Sequence, residues 1–534
     1  MRSLKVLDCT LRDGGFVNDW NFSFGSIKSI ISRLDKAGID IIEVGFIDDR
    51  RAYDVNRSIL PDSNSLKPIM QNLTVNNSMI VAMIDFGTCS LDRITLQKDS
   101  CIHGIRVIFK KKNIDEALTY CAQIKAKGYK VFVQPVSSTE YSDEEVFELI
   151  NKINAIDPYA VSIVDTYGLM HNTELLHYFE LFDKYLKKEI IIGYHSHNNF
   201  QVAYANSIEL TKVKTDRDIV IDSSLFGMGK GAGNANTELV AMYFNENYNK
   251  EYKIEQLLEA IDVDIMKEYD KQKWGYSMLF FIAASNDCHP DYVKYLLAKK
   301  SLSVKSVNEI ITLIPKINKL SFNKDLVETI YRDYQNREFN DTISYENLHS
   351  ALQGKKVLLL GPGKSLTDES EKILSYIEQN NPVVFSINFI NNLFPINYVF
   401  MGNSKRYSQF FHNIYGDDAH CKVICTSNIT QSSKKIDYMF NYGSLIVENE
   451  AIRDNPLVML MNILERTTVS EVVLAGFDGY TAQNADNYYN AYIPFLFCHT
   501  NVLDRNGALK DFIEAYRTKT NVSTLTPSLY LDNK

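Results

Sequence analysis

Eight short β-rich runs alternate with longer amphipathic stretches over the first part of this 534-residue chain, and no other feature constrains the fold as much. The runs are "VLDCT" (6–10), "IDIIEVGF" (39–46), "SMIVAMID" (78–85), "GIRVIFK" (104–110), "KVFVQPVS" (130–137), "AVSIVDTYG" (160–168), "EIIIGYHSH" (189–197) and "DIVIDSSLFGMG" (218–229). Between them, segments such as "SFGSIKSIISRLDKAG", "NIDEALTYCAQIKAKG" and "DEEVFELINKINAI" carry helical spacing. Strands that alternate with helices imply parallel pairing and right-handed crossovers. Eight such units in about 240 residues have the size of a closed (β/α)8 TIM barrel. An open doubly wound sheet competes, but nothing in it requires the count to stop at eight.

A second pattern follows. From about 250 to 350 the strand signal fades, and "EYKIEQLLEAIDVDIMKEY", "HPDYVKYLLAKKS", "SVKSVNEIITLIPKI" and "DLVETIYRDYQNREF" read as helices. A fresh strand, glycine turn and helix begin at "GKKVLLLGPGKSL" (354–366). "PVVFSINF", "NYVFMGNS", "CKVICTSN", "SLIVEN" and "VSEVVLAGFDGY" continue it as strands, then "NADNYYNAYIPFLFCHTN" reads as helix and the last residues as a loose tail. The expected organisation is a barrel over 1–245, a helical extension and connector over 246–350, and an open-sheet α/β domain over 351–534.

Hydrophobic content of 45% with 23% charged residues describes a globular chain. The formal charge of −9 argues against a nucleic-acid partner, which needs a basic face. No apolar run has the length of a membrane span, and "MRSLKVLDCT" enters a strand at once, so a cytoplasmic protein without a signal peptide is expected. The eight cysteines are scattered, and "CKVIC" has no second pair to complete a zinc site.

In such barrels the chemistry gathers where strands end, because the βα loops form that face. The first run ends in "DCTLRDGG", with Asp8, Arg12 and Asp13; the second carries Glu43; the sixth ends at Asp165 and Thr166; the eighth leads to Asn234 and Asn236. The seventh ends in "HSHNN", where His195 and His197 stand two residues apart and so point to one side of a strand. A surface strand end carrying two histidines by accident is the alternative, but convergence on one rim favours a metal site. Two imidazoles and a carboxylate suit Mn²⁺, Zn²⁺, Co²⁺ or Mg²⁺. An adjacent arginine would stabilise an oxyanion as a carbonyl is polarised, which is equipment for an enolate.

"LDCTLRDGG", "HSH" and "GMGKGAGN" together resemble the catalytic signature of the DRE-TIM metallolyases. Within that superfamily, "TLRDGG", "IEVGF", "HSHNNFQVAYANS" and "GAGNANTELV" are most similar to the 4-hydroxy-2-oxovalerate aldolase branch, over roughly residues 1–300. The resemblance implies Asp13, His195 and His197 as metal ligands, with Asn234 joining them, and Mn²⁺ or Mg²⁺ as the favoured ion. It implies that Arg12 stabilises the enolate, that Thr166 and Glu43 help to bind substrate, and that Tyr276 takes part in catalysis. A homo-oligomer is implied as well. The aldolases carry an acid–base histidine three residues after the metal aspartate, where this chain has Phe16; Tyr276, and more weakly His289 and Asp19, are the candidates to replace it.

"GMGKGA" matches a relaxed dinucleotide pattern, but it follows the eighth strand of a barrel and no acid stands about 20 residues on. "LLLGPGKSL" fails the Walker pattern because position 358 is leucine, leaving a glycine turn that could hold an anion. "VLLLGPGKSL", "SINF", "YVFMGNSKRY" and "VVLAGFDGY" softly resemble sialyltransferase-like domains of surface-glycan pathways, on which analogy Asn388, Asn403, Ser404 and Asp478 would line a donor site.

The expected function is a divalent-metal-dependent aldolase joining or cleaving a 2-oxo acid and an aldehyde, in surface-polysaccharide synthesis. A Claisen-type acyl-CoA synthase or lyase on the same barrel is the alternative enzyme. A non-catalytic metal-binding platform for the second domain is the alternative of another class.

Overall fold

The structure, a computed structural model, describes residues 2–414, 421–430, 436–481, 487–490, 493 and 502–531. Two compact units divide the chain, Met1–Pro290 and Asp291–Lys534.

The first unit is built on eight parallel strands: β1 (Leu4–Asp8), β2 (Ile41–Ile47), β3 (Met79–Asp85), β4 (Gly104–Phe109), β5 (Lys130–Pro135), β6 (Ala160–Asp165), β7 (Ile191–Ser196) and β8 (Ile219–Ser223). Each pairs with its sequence neighbour, and β1 pairs with both β8 (Leu4 opposite Ile219) and β2 (Leu7 opposite Ile41), so the sheet closes on itself. This is the TIM barrel that the alternation predicts. A two-residue strand, Ile59–Leu60, adds to the end of β2. The eighth run is shorter than expected because Phe226 and Gly227 turn through positive φ (53° and 63°) and carry the chain off the strand.

The helices cover the outside for the usual reason. In α1 (Phe24–Ala37), Ile27, Ile30, Ile31 and Leu34 recur at i, i+3, i+4 and i+7 and are wholly buried against the strands. Burying each such side chain contributes about 1.5–3 kcal/mol. Ser23 Oγ caps the first turn of α1 by accepting the Ser26 N–H, and Gly38 at φ 84° ends the helix. α2 (Ile114–Ala126), α3 (Asp143–Ile156), α4 (Asn172–Tyr185), α5 (Ala203–Lys212) and α6 (Thr237–Tyr248) follow their strands in the same way. The chain continues through helical turns over 254–271 and 278–285.

Inside the barrel the side chains change character along the strands. Towards the N-terminal ends lies an apolar layer that includes Leu7, Ile41, Val81, Phe132, Ala160, Ile191 and Val220. Two residues further on, and therefore on the same face, stand Glu43, Arg106, Gln134, Ser162 and Asp222, all buried. The barrel thus carries a polar plug beneath its mouth.

The second unit opens with the helix Pro290–Ala298, followed by α7 (Val304–Thr312), α8 (Lys324–Gln335) and α9 (Thr342–Leu352), as the fading strand signal predicts. Seven parallel strands then form an open sheet: β9 (Lys356–Leu360), β10 (Val383–Ile387), β11 (Tyr398–Met401), β12 (Lys422–Thr426), β13 (Tyr438–Phe440), β14 (Glu471–Ala475) and β15 (Asn521–Thr524), in the order 13-12-11-10-9-14-15. Alternate residues of each strand feed apolar cores on both faces, Val357 and Leu359 on one, Leu358 and Leu360 on the other.

Two expectations fail in this unit. "SLIVEN" is not a strand; Tyr442–Leu445 closes a helical turn on the Asn441 cap, and the neighbouring Tyr438–Phe440 pairs with β12 instead. The supposed loose tail supplies the edge strand β15, with Leu531 and Tyr530 buried beyond it. Most of "NADNYYNAYIPFLFCHTN", including Cys498, lies outside the described residues. The other seven cysteines are free. Among the described residues, no helix is long and apolar enough to cross a membrane.

Candidate active site

Asp13, His195 and His197 meet at the C-terminal mouth of the barrel, with one potential ligand atom from each within 4.8 Å of the others, and all three are buried. The histidines come to one side by the strand period, His195 as the penultimate residue of β7 and His197 just past its end, their rings edge-on at 5.1 Å. Asp13 arrives on the tight turn after β1, where Gly14 and Gly15 admit no side chain: a Cβ on Gly15 would stand 2.0 Å from the Trp20 ring.

Two of the three members are oriented by hydrogen bonds with neighbours. His195 Nδ1 lies 3.0 Å from Asp222 Oδ2, which leaves Nε2 for a ligand. His197 Nδ1 is 3.9 Å from Asp13 Oδ2 and has no hydrogen-bond partner. Asn234 donates from Nδ2 to Asp13 Oδ2 at 2.8 Å while its buried Oδ1 is unpaired. Arg12 donates from Nη1 to Asp13 Oδ1 (2.6 Å) and from Nε to Glu43 Oε2 (2.8 Å), and its buried Nη2 is also unpaired. Three unpaired polar atoms around one carboxylate are costly unless something binds them.

The electrostatics agree. Beneath the mouth, Arg106 joins Glu43 (Nη1, 3.0 Å) to Asp222 and also donates to Gln134 Oε1 at 3.2 Å. Three carboxylates, Asp13, Glu43 and Asp222, thus face two guanidiniums, Arg12 and Arg106, in a buried interior. Leaving the imidazoles aside, one negative charge is uncompensated. A divalent cation would reverse that excess, and the carboxylate of a substrate would then balance it. Burial works against the charge on Asp13, but Arg12, the two histidines and the Asn234 hydrogen bond together outweigh it and hold the carboxyl well below its usual range. Burial holds His197 down to about 4, so its ring is neutral and available as a ligand. The donor set fits a divalent ion.

The other expected residues stand as follows. Glu43 is wholly buried under the two arginines and supports Arg12 from below. Thr166 follows β6, its Oγ1 accepting the Ser137 N–H at 2.8 Å with its own proton free to donate. Tyr276 is 61% exposed and tilts against Phe281; no described contact brings it to the triad. Asp19 is exposed and paired with Arg57 (2.5 Å) and Arg51 (3.3 Å), and His289 stands edge-on to Tyr167. Asp8 and Asp165 hold loops: Asp8 accepts from Thr10 N and Thr237 Oγ1, Asp165 from Leu169 N and Met170 N. Phe16 packs edge-on to Trp20 and Phe46 as an aromatic wall, with Lys230 Nζ 5.5 Å above its ring.

The glycines of "GMGKGAGN" serve this site and not a dinucleotide. A Cβ on Gly229 would lie 2.4 Å from Asn234 Nδ2 and 2.6 Å from Asp13 Oδ2, and one on Gly233 would lie 1.9 Å from Gly227 O. The loop therefore closes over Asp13, and the Lys230 N–H donates to it at 3.1 Å. Arg106 and Asp222 belong to no motif of the sequence. Each is a charged residue inside an apolar strand run, "GIRVIF" and "IVIDS", and that was the available signal.

Comparison with known proteins places this geometry. Residues 3–263 match the HMGL-like family model. An oxaloacetate decarboxylase of Mycobacterium tuberculosis is 24% identical, over 52% of this chain and 81% of its own length. A 4-hydroxy-2-oxovalerate aldolase of Geobacillus genomosp. 3 is 24% identical, over 49% and 76%, and one of Pelotomaculum thermopropionicum is 25% identical over the same shares. Among solved structures, the N-terminal domain of a candidate aldolase from Bacteroides vulgatus aligns at 24% identity, over 55% of this chain and 96% of that one, with a TM-score of 0.49. Residues 3–263, with their closed barrel and buried Asp/His/His group, form an HMGL-like domain of the DRE-TIM metallolyase kind.

Proposed function

We propose that the barrel is a divalent-metal-dependent aldolase of the pyruvate class, which makes or breaks a carbon–carbon bond between a 2-oxo acid and an aldehyde. The observation that carries this reading is the convergence on Asp13 of two histidines and an arginine with an unpaired, buried Nη2. The names of the relatives support it, since both denote cleavage of a carbon–carbon bond in a 2-oxo acid.

Asp13, His195 and His197 would hold the ion, with Asn234 Oδ1 as a fourth donor; Mn²⁺ or Mg²⁺ suits the set best, and Co²⁺ or Zn²⁺ are the other candidates. Bound there, the ion supplies Lewis-acid polarisation of the 2-oxo group. Arg12 Nη2 would donate to the substrate oxygen that gains charge as the enolate forms, and Glu43 and Arg106 keep the guanidinium from swinging. Thr166 donates its hydroxyl proton to the substrate carboxylate. Phe16, Trp20 and Phe46 screen the mouth from water. Tyr276 is retained for proton transfer with the aldehyde oxygen. In the same reading the enzyme is cytoplasmic, and its second unit, through Asn388, Asn403 and Asp478, links it to surface-polysaccharide synthesis.

The test is deuterium exchange into the C3 methyl group of pyruvate in D₂O, followed by NMR, with protein loaded in turn with the four ions. Exchange that needs the ion and is lost in Asp13→Asn is expected. No exchange with any ion would overturn the aldolase reading. Release of free thiol from acetyl-CoA with a 2-oxo acid would favour the synthase instead.

A further inference from the structure

Four arginines in the described structure are buried, and three of them are neutralised. Arg12 and Arg106 pair with carboxylates in the barrel, and Arg217 pairs with Asp183 and several carbonyls. Arg406 is the exception. Only 4% exposed, near the start of the helix Ser404–Ile414, it donates from Nη1 to Gln409 Oε1 at 2.9 Å and lies 5.6 Å from the Tyr488 ring. No carboxylate among the described residues lies within ion-pair distance. Burial pulls its pKa below the ordinary arginine value, as expected for a cation without a counter-charge.

Arg406 lines a cavity at the C-terminal ends of β9, β10, β11 and β14. Strand order reverses there: successive strands run one way from β9 to β13, and β14 returns to the other side of β9. Such a crevice is where open parallel sheets bind ligands. The glycine turn after β9 could have held the anion, but the protein fills that position itself, because Asp478 accepts from both the N–H (2.8 Å) and the hydroxyl of Ser365. Two amides complete the lining. Asn388 Oδ1 accepts the Gly402 N–H at 2.8 Å and Asn403 Oδ1 accepts the Arg406 N–H at 2.9 Å. Each Asn thereby spends its oxygen on the backbone and keeps its Nδ2 without an acceptor among the described residues. Two carboxyl groups also line the cavity, but Asp478 is engaged by Ser365 and burial raises Asp454 towards its neutral form. That leaves one buried cation and two amide donors to face a ligand, and what fits them is an acceptor-rich anion.

We propose that this cavity binds a small anionic molecule, a phosphate ester or a polar carboxylate, with its oxyanion on Arg406 and further oxygens on Asn388 and Asn403. The second unit is then a ligand-binding module in its own right.

Titration of the full chain in metal-free buffer with inorganic pyrophosphate and, separately, citrate tests this by calorimetry and thermal shift. Saturable binding of at least one probe is expected, at least 10-fold weaker in Arg406→Gln and unchanged in Asp13→Asn. Pyrophosphate alone would mark a phosphate ester, and citrate alone a carboxylate. Asn388→Asp keeps the acceptor for Gly402 but replaces the donor with charge, so it should abolish binding in a folded protein. Without ligand, Arg406→Gln should melt no lower than the parent, since it removes an uncompensated buried charge. Failure of both probes to bind saturably, undiminished binding in Arg406→Gln, or a melting temperature well below the parent's would overturn the proposal.

Discussion

His195 and Asp222 are joined by a hydrogen bond of 3.0 Å from the Nδ1 side of the ring, and the carboxylate is itself gripped by Arg106. Burial opposes the charge on Asp222, but Arg106 and His195 overcome it and keep the carboxyl below its ordinary range. The carboxylate therefore accepts, His195 donates, and Nε2 is left for the ion. Asp222→Asn should weaken divalent-ion binding by about 10–100-fold, measured by competition with a chelator. The same change leaves Arg106 half-paired, so a loss of about 3–5 kcal/mol in denaturant unfolding should accompany it. Unchanged affinity would show that the Asp222 contact does not orient the ligand.

Arg12 should be irreplaceable by lysine. Its three nitrogens divide the work: Nη1 holds Asp13, Nε holds Glu43, and Nη2 is left over. A lysine has one nitrogen and no fixed fork, so it can keep one of these contacts and not all three. Arg12→Lys should lower metal-dependent pyruvate exchange by about 10²–10³-fold while ion affinity changes only a few-fold. A parallel collapse of ion affinity would instead make Arg12 chiefly a support for Asp13.

The sequence reveals the outer parts of this site and hides the inner ones. His195 and His197 are legible because the strand period forces residues two apart to one side, and "LRDGG" because a barrel strand must end there. The closure of the barrel follows from counting strands. Arg106 and Asp222 are harder, because a charged residue in an apolar run is usually at an exposed edge. Here both strands are covered on both faces, and the pairing that makes burial tolerable links residues 116 positions apart. Local pattern carries no such information. Strand β15 is hidden for the same reason: "NVST" is too short and polar to announce a strand, and only its register against Glu471–Leu474 makes it one.

Gly193 tests the packing of the polar plug. A Cβ at this position in β7 would lie 2.3 Å from Ser162 Oγ and 3.2 Å from Ser162 Cβ on the neighbouring strand. Gly193→Ala should cost about 1–3 kcal/mol of stability. The double variant with Ser162→Gly should recover part of that loss, because the obstructing side chain is gone. Additive losses in the double variant would place the strain elsewhere.

Lys230 and Tyr276 separate recognition from proton transfer. Lys230 sits over Phe16 at the mouth with no carboxylate partner among the described residues. Lys230→Gln should raise the KM for an acidic aldehyde such as glyoxylate by about tenfold, as for a lost hydrogen bond to a charged group, and leave acetaldehyde unaffected. Tyr276→Phe should lower kcat with either aldehyde and leave pyruvate exchange intact. Equal effects of Lys230→Gln on the two aldehydes would remove it from recognition.

Asp8 sets a pH dependence of folding that a single substitution should erase. Wholly buried at the end of β1, it is raised by desolvation to about 6 despite hydrogen bonds from Thr237 (2.6 Å) and Thr10 (3.0 Å). Between the unfolded value of 3.8 and about 6, the folded protein holds a proton that the unfolded chain has released. Stability from this group is thus fully present below pH 3.8 and is lost as pH rises through 6. The two-unit displacement corresponds to about 3 kcal/mol, to order of magnitude. Asp8→Asn resembles the protonated acid at every pH. Its unfolding free energy should equal that of the parent near pH 3.8 and exceed it by a growing margin up to about pH 7, in denaturant titrations at matched pH. A margin that stays constant with pH would mean that Asp8 does not titrate in this window.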